Sequence, residues 1–73
     1  MIALSQRELG CLKWAARGKT YNEIGMILGL SFGTVKSYLD SARFKLNCAN
    51  LPMATARAVA IGVLTQADLE ERT

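Results

Sequence analysis

Histidine is missing from this sequence, and proline and cysteine occur only once and twice in its 73 residues. Without histidine the commonest general base is absent. Neither a glycine-rich phosphate loop nor a plausible pair of catalytic carboxylates takes its place, so the pattern argues against an enzyme. Cys11 and Cys48 are too few for a disulfide framework and lack the spacing of a metal site. We therefore predict no metal and no cofactor, and we expect Cys11 to be a small core residue and Cys48 a loop thiol.

Long hydrophobic runs and strand-like alternation are missing as well. No apolar stretch approaches the roughly 20 residues that span a bilayer, and no signal peptide precedes the first predicted helix. Alternating apolar and polar residues, which would predict strands, do not occur. Hydrophobic residues make up 51% of the chain and aromatic residues 7%, a balance typical of Ala, Leu and Ile packed between helices. The sequence predicts an all-α cytoplasmic protein without a membrane partner.

Start and stop signals divide the chain into four predicted helices within one domain, residues 1–73. Ser5 with Glu8, and Thr20 with Glu23, form two capping boxes in which each residue satisfies a backbone N–H of the other. The first predicted helix is limited by Ser5 and Gly18, and the second by Thr20 and Gly29. The third begins after Ser31 and ends near Leu46, and the fourth begins at Pro52 and ends near Val63. We expect a four-helix bundle followed by a short tail, residues 65–73.

The second and third predicted helices are separated by a very short turn. Ile24, Ile27 and Leu28 lie on one apolar face of the second helix. Gly29 ends that helix, and Ser31 caps the next one only two residues later. So short a turn makes the two helices cross at a steep angle, which is the helix-turn-helix arrangement. The third helix is then the recognition helix, the one expected to enter the major groove of DNA.

The third predicted helix shows two contrasting faces. Four apolar residues at helical spacing face inward: Val35, Leu39, Ala42 and Leu46. The opposite face carries short or polar residues: Gly33, Lys36, Ser37, Asp40 and Ser41. This face has no glutamate, and its basic residues are expected to flank it rather than to pair with acids, so a groove wall could approach it. Lys36, Ser37 and Asp40 are the candidates for contacts to base edges, although Asp40 could equally bridge to Arg43 or Lys36.

Positive charge is concentrated in the body of the domain. Residues 1–64 hold eight Lys and Arg side chains against three acidic ones, a net charge of +5, whereas the tail carries −2. A basic body is expected of a protein that binds a polyanion. Together with the helix-turn-helix, it favours duplex DNA as the partner of the polar face.

A family resemblance is carried by the stretch LSQRE…LKWAARGKTYNEIGMILGLSFGTVKSYLDSARFKL and by ARAVAIGVL. The chain resembles the C-terminal DNA-binding domain of LuxR-type regulators over residues 4–64, since capping boxes, glycines and core positions agree together. Trp14 with ARGKT is closest to the quorum-sensing branch. The resemblance implies the output domain of a longer bacterial regulator, which dimerises through its last helix and binds double-stranded DNA at a two-fold operator in the nucleoid. An acyl-homoserine lactone would bind only an upstream domain, and RNA polymerase is a further candidate partner.

Backbone phosphates are expected near the starts of the second and third helices. Exposed N–H groups and the positive end of a helix favour an anion there. The candidates for phosphate contacts are Lys19, Thr20, Tyr21, Thr34, Tyr38 and Arg43. Three departures from the family pattern bear on this surface: Tyr38 stands where histidine is common, Phe44 where a basic residue is usual, and Leu51 where arginine is common. Phosphate contacts position a protein on DNA, and base contacts specify the DNA sequence. Mutations in the two sets of residues should therefore affect DNA binding differently.

The last predicted helix carries two apolar stripes, more than one packed face requires. Ala54, Ala58 and Ile61 fall on one side and are assigned to the core. The roughly opposite stripe is assigned to a homodimer interface and consists of Ala56, Val59, Ala60 and Val63. The alternative is that the acidic tail folds back over this second stripe.

Two other functions fit the same residues. Within DNA binding, the chain could be the output domain of a phosphorylated response regulator, or a regulator of one domain. In another class, it could be a helical interaction module, such as an antiactivator, that uses the fold only to dimerise. Salt-sensitive binding to duplex DNA separates the two classes, because an interaction module would show none.

Overall fold

The computed structural model describes residues 3–65, which form four helices. These are α1 (Gln6–Ala16), α2 (Tyr21–Leu28), α3 (Phe32–Lys45) and α4 (Leu51–Ala60). The predicted all-α fold is confirmed over this range. None of these helices is long and apolar enough to cross a membrane. Residues 66–73 of the predicted tail lie outside the described range.

The helices begin where side chains cap them. In α1 the Ser5 hydroxyl accepts from the Glu8 N–H (3.1 Å) while the Glu8 carboxylate accepts from the Ser5 N–H (2.8 Å). Thr20 and Glu23 repeat this exchange at α2 (3.2 and 2.8 Å). At α4 the side-chain oxygen of Asn50 accepts from a backbone N–H in the first turn. Both predicted capping boxes are therefore present, and their local hydrogen bonds set where the helices start.

The core is built around α3, which packs against each of the other three helices. Its predicted inward residues are all fully buried: Val35, Leu39, Ala42 and Leu46. Cys11 and Leu12 of α1, Ile24 of α2, and Ala54 and Ala58 of α4 meet them. Burial raises the pKa of the Cys11 thiol, as expected of a cysteine that serves as a small core residue.

A tight turn sets the angle between α2 and α3. Gly29 adopts the left-handed conformation (φ 71°) that glycine tolerates without strain. The N–H of Leu30 donates to the carbonyl of Gly25 (2.8 Å). A Cβ at Gly25 would overlap the Leu30 carbonyl oxygen. Glycine at position 25 therefore lets the turn pack directly against α2, and the start of α3 follows immediately after this turn.

Two side chains differ in exposure from what their sequence positions predict. Ile27, predicted to face inward, is 45% exposed, because α2 turns the side between Ile24 and Gly25 toward the core and leaves Ile27 on the flank. Cys48 lies in the loop between α3 and α4, as predicted, but it is only 8% exposed. Asn47 adopts a left-handed conformation (φ 57°), which turns the chain back and directs the Cys48 thiol inward.

The last helix ends three residues earlier than predicted. Its last residue is Ala60, and Gly62 follows in the left-handed conformation (φ 84°). The N–H groups of Val63 and Leu64 both donate to the Ala58 carbonyl (2.8 and 3.1 Å). This turn buries Leu64 and leaves Ile61, predicted for the core, 49% exposed. Val63, predicted on the helix, lies beyond it.

Candidate nucleic-acid interface

The start of α3 lies at the surface and carries an uncompensated positive helix end. The Ser31 hydroxyl accepts from the Thr34 N–H (3.2 Å) and lies 2.8 Å from the Thr34 hydroxyl. No acidic residue occurs in this first turn. Gly33 is exposed, and a side chain there would meet no other atom within 4 Å. The helix dipole and the open backbone make this end suitable for an anion.

The start of α2 differs because an acid occupies it. The Glu23 carboxylate accepts from the Thr20 N–H, and this hydrogen bond lowers the pKa of Glu23. Lys19 is half-buried, with its N–H donating to the Trp14 carbonyl (3.1 Å). The ring of Tyr21 lies 5.4 Å, centroid to centroid, from that of Phe32, the first residue of α3. Of the predicted phosphate residues near the start of α2, Tyr21 thus lies beside the start of α3.

The outward face of α3 is only partly as predicted. Lys36 and Ser37 are exposed, and Asp40 is half-exposed on the same side. Ser41, predicted to share this face, instead donates a hydrogen bond to the buried carboxylate of Glu8 on α1. The candidates for base contacts therefore form a narrow group in the middle of α3: Lys36, Ser37 and Asp40.

The basic residues of α3 pair with acids, contrary to the prediction that they only flank the face. The alternative predicted for Asp40, a bridge to Lys36 or Arg43, is present. Lys36 Nζ donates to Asp40 Oδ2 (2.9 Å), and Arg43 Nη2 contacts Asp40 Oδ1 at 3.4 Å. The hydrogen bond to Asp40 raises the pKa of Lys36, and the same bond lowers that of Asp40. Arg43 Nη1 also donates to the carbonyls of Ala49 (3.2 Å) and Cys48 (3.5 Å). Arg43, a predicted phosphate residue, thereby ties α3 to the loop before α4.

A buried carboxylate fixes the other side of α3 against α1. Glu8 is 4% exposed and accepts from Lys45 Nζ (2.8 Å), from the Ser41 hydroxyl and from the Ser5 N–H. Burial alone would raise the pKa of Glu8, but these hydrogen bonds outweigh it and lower the pKa to about 2. Sequence reasoning identified Glu8 only as a capping residue, since its partners on α3 lie 33 and 37 positions away.

The exposed side of α4 is not the predicted stripe. Ala56 and Ala60 are exposed as predicted, but Val59 and Val63 are half-buried and pack against the core. Two apolar side chains not assigned to that stripe complete the exposed surface. We define the α4 strip as the residues that line this shallow exposed surface: Met53, Ala56, Arg57, Ala60 and Ile61.

Comparison with known proteins identifies this architecture. Residues 2–58 match the family described as bacterial regulatory proteins, luxR family. The chain belongs to the LuxR family. Its domain is the helix-turn-helix DNA-binding domain of these transcriptional regulators, which are not enzymes.

Several full-length LuxR-family regulators are similar to the chain. The quorum sensing-dependent transcriptional regulator VjbR of Brucella ovis is 43% identical over 67 residues, 92% of this chain and 26% of its own length. RpaR of Rhodopseudomonas palustris, also named a quorum sensing-dependent regulator, is 44% identical over 61 residues (84% and 25%). The transcriptional activator protein AhyR of Aeromonas hydrophila is 42% identical over 62 residues (85% and 24%). The chain spans about a quarter of the length of these curated relatives.

Two departures from the LuxR pattern have distinct environments. Tyr38, where histidine is common, is half-buried and packs against the core. Phe44, where a basic residue is usual, is 82% exposed and lines an open groove with Arg43 and Met53. The LuxR-type surface of this chain thus has an apolar side chain at the far end of α3.

Proposed function

We propose that this LuxR-family domain reads the major groove with α3, as the DNA-binding part of a quorum-sensing transcriptional regulator. The observation that carries the proposal is the exposed first half of α3, where Gly33, Lys36 and Ser37 lie beside a helix start without an acid. An α-helix fits the major groove, and short side chains at its start allow close approach. Relatives named as quorum sensing-dependent regulators support the branch.

Contacts divide into two sets in this proposal. Lys36 and Ser37 reach base edges, and Asp40 faces the same groove. The residues proposed for the phosphate backbone are Lys19, Thr20, Tyr21, Thr34, Tyr38 and Arg43. Arg43 has five N–H donors, so part of its guanidinium can reach a phosphate while the rest holds the loop. The rings of Tyr21 and Phe32 keep the two helix starts together, so both could face one DNA strand.

A salt titration of the purified chain on duplex DNA tests the proposal. Each neutralised phosphate contributes about −0.9 to the slope of log affinity against log salt, so about five contacts per protomer predict a slope of −4 to −5. Fluorescence anisotropy between low and moderate salt measures it. An affinity that does not change with salt would indicate an interaction module instead.

Lys36→Ala and Lys19→Ala separate the two sets of contacts. The operator is first selected from a randomised duplex library with the unaltered chain. Lys19→Ala should weaken binding to every duplex alike, whereas Lys36→Ala should relax the preference at one operator position, with about 1–3 kcal/mol of discrimination lost there. Both variants must first show the parent's melting temperature by circular dichroism. If both variants lower the affinity for all sequences by the same factor, Lys36 does not read a base.

We also propose a homodimer through α4 that binds a two-fold operator. The support is the α4 strip, an exposed face with four apolar members of which two are alanines. Small side chains allow a symmetry-related helix to approach closely, and an isologous contact is the commonest arrangement of two identical chains. Such a pair would place its two α3 helices about 34 Å apart, one turn of DNA.

Ala60→Glu tests the dimer by placing a charge in the α4 strip. Val59 is unsuitable for this test because it packs against the core. We expect Ala60→Glu to keep the parent's helicity, to sediment as a monomer and to lose tight binding to an operator with two half-sites. Gln6→Glu, at an exposed position of α1, is the control for the added charge. Tight operator binding by Ala60→Glu would exclude this face as the interface.

The input of the regulator is proposed to lie upstream of this domain. The relatives are about four times as long as the segment they share with the chain, and a sensing domain for an acyl-homoserine lactone would account for the added length. The codons upstream of Met1 test this. A phosphate-receiver domain there would move the chain to the response regulators, and a stop codon would make it a regulator of one domain.

A further inference from the structure

We propose that Asp40 is a specificity-determining residue that acts through Lys36. In the unbound domain Asp40 holds the Lys36 ammonium group against α3, and this lowers the affinity of the domain for arbitrary DNA. Lys36 then binds DNA only at sequences whose base acceptors can replace the carboxylate. Asp40 is therefore a positioning residue for the contact that Lys36 makes. This inference rests on the proposed function of α3.

The geometry holds the Asp40 carboxylate from both sides. Oδ2 accepts from Lys36 Nζ (2.9 Å), one turn before Asp40, and Oδ1 accepts from Arg43 Nη2 (3.4 Å), almost one turn after it. Arg43 is in turn bound to the carbonyls of Cys48 and Ala49. A chain of polar contacts thus runs from the groove face of α3 to the loop before α4, and it orients Asp40 toward Lys36.

The charges around this pair explain why it matters for specificity. Residues 3–65 contain two other acids: Glu8 is buried against Lys45, and Glu23 caps its own helix. Asp40 is therefore the acid on the DNA-facing side of α3. Binding to arbitrary sequence depends on positive charges that displace counterions from phosphates. A lysine already neutralised by Asp40 contributes little to that binding. Specificity is the difference between the affinity for the operator and the affinity for arbitrary DNA, so it rises when the second of these falls.

A guanine edge can compete with Asp40 for Lys36, because it offers two acceptors to one ammonium group. Lysine binds the O6 and N7 acceptors of guanine in the major groove, and those acceptors occur only at particular positions of a sequence. A direct contact from Asp40 to a cytosine amino group is the competing role. Each carboxylate oxygen has one partner on α3 and a further lone pair, so the two roles are separated by the test below.

The test compares Asp40→Asn in two backgrounds, the parent chain and Lys36→Ala. Glu23→Gln is the matched control, since it removes one exposed negative charge and glutamine can still complete a capping box. For each variant, affinity is measured for a random-sequence duplex and for the selected operator, with the salt slope of each. Thermal melting confirms that each variant is folded.

Asp40→Asn should bind the random duplex up to about fivefold more tightly than the parent, the upper end of the range for an exposed ion pair. Its salt slope on that duplex should steepen by about 0.9, since Lys36 becomes available for one more phosphate. Affinity for the operator should change less than twofold, so the ratio of specific to arbitrary binding falls. In the Lys36→Ala background, Asp40→Asn should have no more effect than Glu23→Gln.

Three results would overturn the inference while the proposed function stands. An equal gain in affinity for the random duplex from Asp40→Asn, with and without Lys36, would mean that the Asp40 carboxylate only repels DNA phosphates. A loss confined to operators with cytosine at one position would mean that Asp40 reads a base. Unchanged affinities for both duplexes would mean that the pair has no role in binding. If the parent chain binds no duplex at any salt, the proposed function fails, and the inference fails with it.

Discussion

Replacing Glu8 by glutamine should change how the stability of the domain depends on pH. Glu8 is almost fully buried between α1 and α3, and its three hydrogen bonds lower its pKa from the ordinary 4.5 to about 2. A lowered pKa means that folding favours the ionised carboxylate. Its contribution is fully present above about pH 4.5 and is lost as the pH falls toward 2.

The size of this contribution follows from the shift. At 1.36 kcal/mol per pKa unit, the change from 4.5 to about 2 corresponds to about 3 kcal/mol of stability at neutral pH. A chain of this length has a total stability of roughly 4–11 kcal/mol, so loss of this term is a large fraction. Glutamine keeps the capping box but loses the charge that binds Lys45.

Urea unfolding followed by circular dichroism at several pH values measures the effect. We expect Glu8→Gln to be less stable than the parent at pH 7, with the gap closing by about 3 kcal/mol between pH 4.5 and 2, where the parent's Glu8 becomes protonated. Glu23→Gln should change the profile in the same direction but by less, because the pKa of Glu23 is also lowered while its carboxylate is exposed to solvent. Parallel profiles for Glu8→Gln and the parent would refute the reasoning.

Three further predictions concern the turn, α1 and the core. Gly25→Ala should destabilise the domain by about 1–3 kcal/mol in urea unfolding, because the new Cβ would overlap backbone. Gly10→Ala, whose Cβ would make ordinary contact, should stabilise α1 by up to about 1 kcal/mol, and a loss of similar size at both positions would contradict the packing argument. Cys11 is fully buried with a raised thiol pKa, so at pH 8 a thiol reagent should modify it only at the rate of unfolding. Rapid labelling under native conditions would contradict its burial.

Residue patterns were sufficient wherever the interactions are local. The capping boxes each involve residues three positions apart, so the helix starts could be predicted at Ser5 and Thr20 and are confirmed. The inward stripe of α3 depends only on helical periodicity. The end of α4 was predicted wrongly although a local signal existed: Gly62 follows the true last turn, and apolar residues beyond it favoured a longer helix.

Residue patterns could not predict the features that depend on residues far apart in the chain. Helical spacing places Ser41 on the predicted groove face of α3. Its hydroxyl nevertheless donates to the buried carboxylate of Glu8 on α1. Cys48 is buried because the chain turns back at Asn47 and packs on a core assembled from all four helices. Residue patterns alone predicted the helix starts and the helix-turn-helix, and they carried the LuxR-type resemblance. Which polar residues of α3 face outward depended on the packing of α3 against α1, because a buried carboxylate keeps its charge only where distant donors converge on it.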